Sequence, residues 1–323
     1  MLNVAHRITI GSAVYASAAH SRLIRLRTNA GLAAPVNTAV ITFAPPHGLT
    51  IAVGDTAVVE LGYDDDLHVV FTGIVESFDW AVESVTVGAA STFRRLLDAR
   101  YNRIFERSKS GDIVSNVARQ LEIATGTVES GLELAAYAMS SGLSAYDAVR
   151  VLAGRSGFDF YADIDDKLVF ARYNQAQAHP FQYGINIVEL AVEHSRDRVT
   201  GVEVYGESPS SLGEGQDAYS WLTKKDVKGT AGGSSGVTVQ HFDPTIRTQE
   251  DAGAIAESLL SALGAGRTCR LQTLGAPEVR LGEAIEISDM PIAEQNGTFK
   301  VTGVAHRLDL RQGFTSWIDG IEA

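Results

Sequence analysis

The sequence predicts a mainly β protein interrupted by an α+β insert, and three observations predict it. Short alternating apolar runs bounded by turn residues fill residues 1–88 and return after about residue 196. A helical period replaces them from residue 91. Finally, the stretch 53–75, VGDTAVVELGYDDDLHVVFTGIV, has an echo at 281–304 with its features in the same order. In the first copy Gly54-Asp55 precedes the alternating Ala57, Val59 and Leu61. The acidic tip Asp64–Asp66 breaks the run, and a second strand leads to Thr72-Gly73-Ile74-Val75. The echo runs Leu281-Gly282-Glu283, Ile285 and Ile287, a turn through Pro291 and Gly297, then Phe299 to Gly303-Val304. Gly54 maps to Gly282 and Gly73 to Gly303, 228 and 230 positions apart. One β-unit used twice is the expectation. The four glycines are its framework, shaping turns and close strand contacts, not a catalytic or binding site.

Taken in order, Ile8–Ile10, Leu23–Leu26 and Val40–Phe43 are strands separated by Asn29-Ala30-Gly31 and Pro45-Pro46-His47-Gly48. Phe78, Trp80 and Val82, then Val85–Val87, add a hairpin arm. Many short strands of this kind make a small barrel or a sandwich. Ser91 is placed to cap a helix carrying Phe93, Leu96 and Leu97, and Ser110-Gly111-Asp112 opens another. A third spans 144–156, with Ser144 and Asp147 spaced as a capping box and Gly157 as its stop. Phe158–Ala162 and Leu168–Phe170 then flank an acidic turn, Asp163 to Asp166, expected to be a solvated hairpin tip. After Val202–Tyr205, the polar tract 206–236 predicts a long exposed loop, and Thr248 caps a helix over 248–263. The expected division is 1–90 β, 91–195 α+β insert, and 196–323 a second β domain.

Length and composition restrict the function. A chain of 323 residues, 45% hydrophobic and 20% charged, buries a sizeable core and divides into two or three domains. With 27 Lys and Arg against 39 Asp and Glu, its net charge of −12 disfavours gripping nucleic acid. No apolar stretch is long enough for a membrane helix, and the N-terminus lacks a secretory signal, so synthesis and folding in the cytoplasm are expected. The one cysteine, Cys269, lies in an alternating run and reads as a small buried or half-buried strand residue, not a nucleophile. The eight histidines show no metal-binding spacing, and no nucleophile elbow or phosphate loop is present. No cofactor, metal or catalytic residue is expected. Trp221, in the polar tract, is the aromatic placed to meet a partner.

The ordered set of pieces resembles a known family. V-G-D, L-G-Y and V-F-T-G-I-V (residues 53–75), Lys109–Ile113, Ser144–Gly157 with the hairpin after it, Val202–Gly206, the helix from Thr248, Leu281-Gly282-Glu283 and Gly297–Val304 with His306 resemble the phage late control protein D family. That family supplies the baseplate hub of contractile phage tails and related injection systems. The resemblance spans essentially the whole chain. It implies two duplicated tail-tube-like β-barrel domains flanking an α+β domain, assembled as a homotrimer. The resulting pseudo-hexameric ring would join the six-fold tail tube protein to a trimeric spike protein among other baseplate components, inside a virion or injection particle. Because the sequence stops at Ala323, the spike is expected on a separate chain. Two rival readings share the β-rich pattern: a carbohydrate- or receptor-binding tail module, and a cell-wall hydrolase with an unmarked carboxylate pair.

Overall fold

The structure is a computed structural model that describes residues 3–17, 22–44, 48–175, 178–194, 199–206, 227–233, 235–244, 246–264, 266–309 and 311–323. Its first part holds β1 (Val4–Ile10), β2 (Ala13–Ala16), β3 (Leu23–Gly31), β4 (Thr38–Phe43), β5 (Thr56–Tyr63), β6 (Asp66–Trp80) and β7 (Val85–Ala90). The middle holds α1 (Arg94–Asp98), β8 (Arg103–Lys109), α2 (Ser110–Gln120), β9 (Thr125–Val128), β10 (Glu133–Met139), α3 (Ala145–Ser156), β11 (Asp159–Ala162) and β12 (Leu168–Ala171). Then come β13 (Ala178–Gln182), β14 (Ile187–His194), β15 (Val199–Tyr205), β16 (Lys228–Gly232), β17 (Val237–Phe242) and α4 (Gln249–Gly264). β18 (Arg267–Leu274), β19 (Ala284–Ser288), β20 (Gly297–Asp309) and β21 (Gly313–Glu322) close the chain.

The mainly β fold class read from the sequence is the one observed, and its largest sheet runs through both ends of the chain. The order is β14-β18-β21-β20-β3-β4-β7-β6-β5-β1-β2, with β19 and β13 attached beside β20. The two halves of this sheet repeat one hydrogen-bonding pattern. Across the first half, Asp55, Val75, Ala89, Ala39 and Thr28 form a row of partners. Across the second, Glu283, Val301, Gly320, Cys269 and Val192 form the matching row. Both rows carry a bulge at the same place, between Val75 and Ser77 and between Val301 and Gly303. A second shared bulge lies between Leu23 and Arg25 and between Ile187 and Glu189. The halves differ at the far end, where β1 pairs β5 antiparallel but β13 pairs β19 parallel.

This register corrects one alignment made from sequence. Gly54 does correspond to Gly282, but Val75 corresponds to Val301, 226 positions on. Gly73, opposite Ala57, therefore corresponds to Phe299, opposite Ile285, and Gly303 corresponds to Ser77. The longer β5–β6 hairpin, with its own bulge between Val59 and Glu60, displaces the glycines from register.

Three cores lie under these elements. One gathers Ile8, Leu26, Ile41, Val59, Val75 and Val87 from strands of the first half. Tyr15 on β2 packs against Phe43 on β4, ring centroids 4.9 Å apart and tilted, though the strands are well apart in the order, so this half of the sheet curls over its own core. A second gathers Phe181, Leu271, Ile285, Phe299, Val301 and Ile318. The third, in the middle, packs α2 and α3 with β11, β12, β15 and α4, through residues such as Val114, Leu152, Phe170, Val204 and Ile255. Elements thus cross the expected division. β13 and β14 fall within 91–195 but pair in the large sheet, whereas β15–β17 and α4 fall within 196–323 but pack in or beside the middle core. Apolar periodicity says that a face is buried, not which neighbour buries it.

Local signals fared according to how local they were. Ser144 Oγ accepts from Asp147 N at 3.0 Å, and Gly157 ends α3 in the left-handed conformation with φ 66°. Thr248 Oγ1 likewise accepts from Asp251 N at 3.1 Å. Ser91 is no cap, however. Its hydroxyl accepts from Asn37 N at 3.2 Å, and the helix shrinks to Arg94–Asp98. Part of the expected loop 206–236 is strand: Lys228–Gly232 pairs with β15, where Lys228 Nζ reaches Glu203 at 2.8 Å. Gly229 permits this, since a Cβ there would lie 2.2 Å or less from the Ala252 carbonyl group of α4.

Candidate assembly surfaces

The two halves of the large sheet are joined edge to edge. The decisive joint is antiparallel pairing of β20 with β3, Gly303–Asp309 against Gly31–Arg25. It is the only link between the two halves of the large sheet among the described residues. On its inner face Val304, His306 and Leu308 lie opposite Ala30, Thr28 and Leu26. The hairpin tip crosses over: Leu308 and Phe314 belong to the first core, not to that of the second half. His306 is buried at the centre, 3% exposed. Ala276 N donates to Ser316 Oγ at 2.9 Å, which leaves the Ser316 hydroxyl hydrogen for His306 Nδ1 at 2.8 Å. Burial lowers the imidazole to about 4, so the ring is neutral and accepts that bond.

Each half carries the same Gly–acid turn beside this sheet. Gly54 and Gly282 have φ of 94° and 77°, the left-handed region that glycine occupies without a Cβ penalty. Asp55 accepts from Ala52 N at 2.8 Å, and Glu283 accepts from Arg280 N at 3.0 Å, each carboxylate satisfying the amide three residues back. Glu283 also meets His179 Nε2 at 2.7 Å, holding β13 beside β19. Gly73 sits where a Cβ would come 2.4 Å from the Ala90 carbonyl oxygen of β7. At Gly303 a Cβ would meet the Asp319 side chain at 3.1 Å. The four glycines are therefore spread over both halves, and the structure does not gather them into one site. Trp221 lies outside the described residues.

The α+β part is pinned to both halves. Asn37 Nδ2 of the first half donates to Ala162 O at 2.8 Å, and within the α+β part Thr92 N donates to both oxygens of Asp166 at 3.0 and 2.9 Å. Asp166, read from sequence as a solvated tip, is 7% exposed, and burial pushes its carboxyl up to about 6 against the pull of the Thr92 amide. A turn acid is normally solvated; here the turn itself docks on the start of α1, a tertiary contact that the spacing of acids does not encode. Lys300 Nζ of β20 pairs with Asp159 of β11 at 2.7 Å. Tyr161 hydroxyl donates to Leu281 O at 3.3 Å, and burial with Asp159, Asp163 and Glu283 nearby raises it to about 12. A cavity of about 300 Å³ remains where the three parts meet, lined by residues including Val70, Tyr161, Leu281 and His306.

Among the described residues no group of three or more His, Cys, Asp or Glu is placed to hold a metal ion. Cys269 is buried in β18 and its thiol is raised to about 12, chiefly by burial, so it stays protonated. No helix among the described residues is long and apolar enough to cross a membrane.

Two sheet halves that repeat one hydrogen-bonding pattern, joined edge to edge and carrying an α+β insert, are the architecture of a structural tail-hub protein. The family model of the phage tail baseplate hub (GPD) matches residues 41–312, and the chain belongs to that family. No curated protein sequence matches it. Among solved structures it is similar to the 43 kDa tail protein of prophage MuSo2 from Shewanella oneidensis, with TM-score 0.70 and 14% identity over 99% of this chain and 98% of that one. It is similar to the tail protein from Neisseria meningitidis MC58, with TM-score 0.69 and 13% identity over 99% and 97%. The E. coli c3393 protein, a component of the type VI secretion system, gives TM-score 0.61 and 11% identity over 98% and 76%. At these identities the likeness is one of fold.

The joint itself was missed by sequence reasoning. A signal for it was present: Leu308 and Phe314 carry apolar character to the very tip of the β20–β21 hairpin, where a free tip is polar.

Proposed function

We propose that three copies of this chain form the hub ring of a tail baseplate, each copy contributing two like β-barrels, so that three chains imitate six-fold symmetry. The barrels are assigned to residues 3–90 and to 178–194 with 267–323, and the α+β part to the residues between them. The ring then seats the six-fold tail tube on one side and a three-fold spike on the other, with further baseplate components around it. The protein is made in the cytoplasm and taken into the particle there. Its role is symmetry matching and not catalysis.

The observation that carries this reading is the pair of matching rows, Asp55–Val75–Ala89–Ala39–Thr28 and Glu283–Val301–Gly320–Cys269–Val192. Two equivalent units in one chain are what a closed ring needs if three subunits are to present six similar surfaces. Barrel closure is supported at both ends: Tyr15 on Phe43 in the first unit, and the short turn 183–186 that joins β13 to β14 in the second. Light scattering of the purified chain, alone and mixed with the spike protein of its own particle, tests it. A three-chain mass in either condition is the expected result, and a monomer in both overturns the reading.

A further inference from the structure

The row that ends at Thr28 does not end there in space, because β20 continues it with His306. The matching row ends at Val192, since β14 pairs only with β18 among the described residues. A second asymmetry accompanies the first. Beyond Val301 the edge of β20 is occupied by β3, whereas beyond Val75 the corresponding edge of β6 has no partner strand among the described residues. Among the described residues, the chain therefore holds one filled joint and, at separate places, the two sides of an unfilled one.

We infer that a second copy of this chain fills it. Residues 78–80 of β6 in one copy lie antiparallel to residues 192–194 of β14 in the next, with Phe78 opposite His194, Asp79 opposite Glu193 and Trp80 opposite Val192. The inference rests on the ring reading and adds to it the edges and the register through which chains meet. The register is fixed by the internal joint: Val304, Ala305 and His306 pair with Ala30, Asn29 and Thr28, and the matching rows map these onto Phe78, Asp79, Trp80 and His194, Glu193, Val192.

Burial points to the same edges. Phe78 and Trp80 face the core side, opposite Val87 and Val85, both fully buried. Yet Trp80 is 50% exposed, while its internal counterpart His306 is 3% exposed. On the receiving edge Leu190 and Val192 face the second core opposite Leu271 and Cys269, and are only half-buried. Val188, on the same strand, is 55% exposed. An unpaired edge bearing half-covered apolar side chains is a template for another strand. The filled joint shows how it closes, since Leu308 and Phe314 cross into the core of the half they join. Trp80 would enter the neighbour's second core in the same manner, against Val192. This joint is the shorter one, because β6 turns at Ala81–Ser84 while β20 continues to Asp309. On its outer face Asp79 would meet Glu193, a like-charged pair; Arg270, already paired with Asp319 at 2.8 Å, offsets only part of the charge at Glu193.

The test uses the full chain carrying Cys269→Ala, because Val192 lies directly opposite Cys269 across β14–β18 and a cysteine there could bridge within the chain, with cysteines introduced in pairs and oxidised by copper phenanthroline. Trp80→Cys with Val192→Cys is expected to give disulfide-linked oligomers at about tenfold or more the yield of the shifted pair Trp80→Cys with Leu190→Cys, because a diagonal neighbour is too distant to bridge. Asp79→Cys with Glu193→Cys reads the same register without removing the apolar pair, and is expected to cross-link as well. If neither matched pair links in a preparation that light scattering shows to be oligomeric, or if the shifted pair links equally, this joint is wrong while the ring stands. A chain that stays monomeric at every concentration, with and without the spike protein, overturns both.

Discussion

Acidification should loosen the β3–β20 joint through His306, and the size of the effect follows from its burial. The imidazole is lowered from 6.5 to about 4 by burial, with Nδ1 committed to the Ser316 hydroxyl. A folded value below the unfolded one means that the fold favours the neutral ring. Its contribution is complete above pH 6.5 and is lost as pH falls from 6.5 through about 4, where the unfolded chain binds the proton first. At about 1.4 kcal/mol per tenfold, that interval amounts to about 3 kcal/mol, a large share of an ordinary domain's stability. Urea unfolding of the native chain and of His306→Gln, at several pH values from 7.5 to 4, isolates this term, because the other titrating groups cancel in the difference. His6, also lowered by burial, and the raised Asp163 and Asp166 are among those groups. The native chain should lose stability relative to the variant across the window. Parallel curves would refute the reasoning, as would an NMR titration placing the His306 midpoint near 6.5 in the folded protein.

Two further predictions concern the interior. Asp166→Asn keeps an oxygen for the Thr92 amide but removes a carboxylate whose ionisation burial opposes. Raised to about 6, this carboxyl contributes stability below pH 3.8 that is lost as pH rises through 6, so the variant should be more stable at pH 7.5, by at most about 3 kcal/mol. Calorimetry at pH 4 and 7.5 checks the sign; a variant less stable at 7.5 than at 4, by as much as the native chain, would count against it. Gly73→Ala should cost about 1–3 kcal/mol, because its Cβ would meet the Ala90 carbonyl at 2.4 Å and force β6 from β7. Gly303→Ala should cost less, about 1 kcal/mol, since its Cβ would meet Asp319 at 3.1 Å or more, a contact that a small shift relieves. Equal unfolding midpoints for these two variants would show the strand contacts to be misjudged.

The sequence by itself determined what depends on a few neighbouring residues. Alternation placed the strands of β5 and β6, Ser144 and Gly157 bounded α3, and the Gly–acid turns at 54–55 and 282–283 share one geometry. The ordered set of such pieces was also enough to reach the family. Tertiary structure decided the rest. Strand register depends on bulges and on the partner strand, which is why Val75 corresponds to Val301 while the more visible Gly73 and Gly303 do not correspond. Core membership depends on which surface lies opposite, so α4 packs with the middle of the chain although its apolar face names no partner. Asp166 is buried because a loop 74 residues earlier offers it an amide. The β3–β20 joint lies beyond any local spelling: its two strands are separated by most of the chain, and their pairing is settled only when both sheet halves exist to be joined.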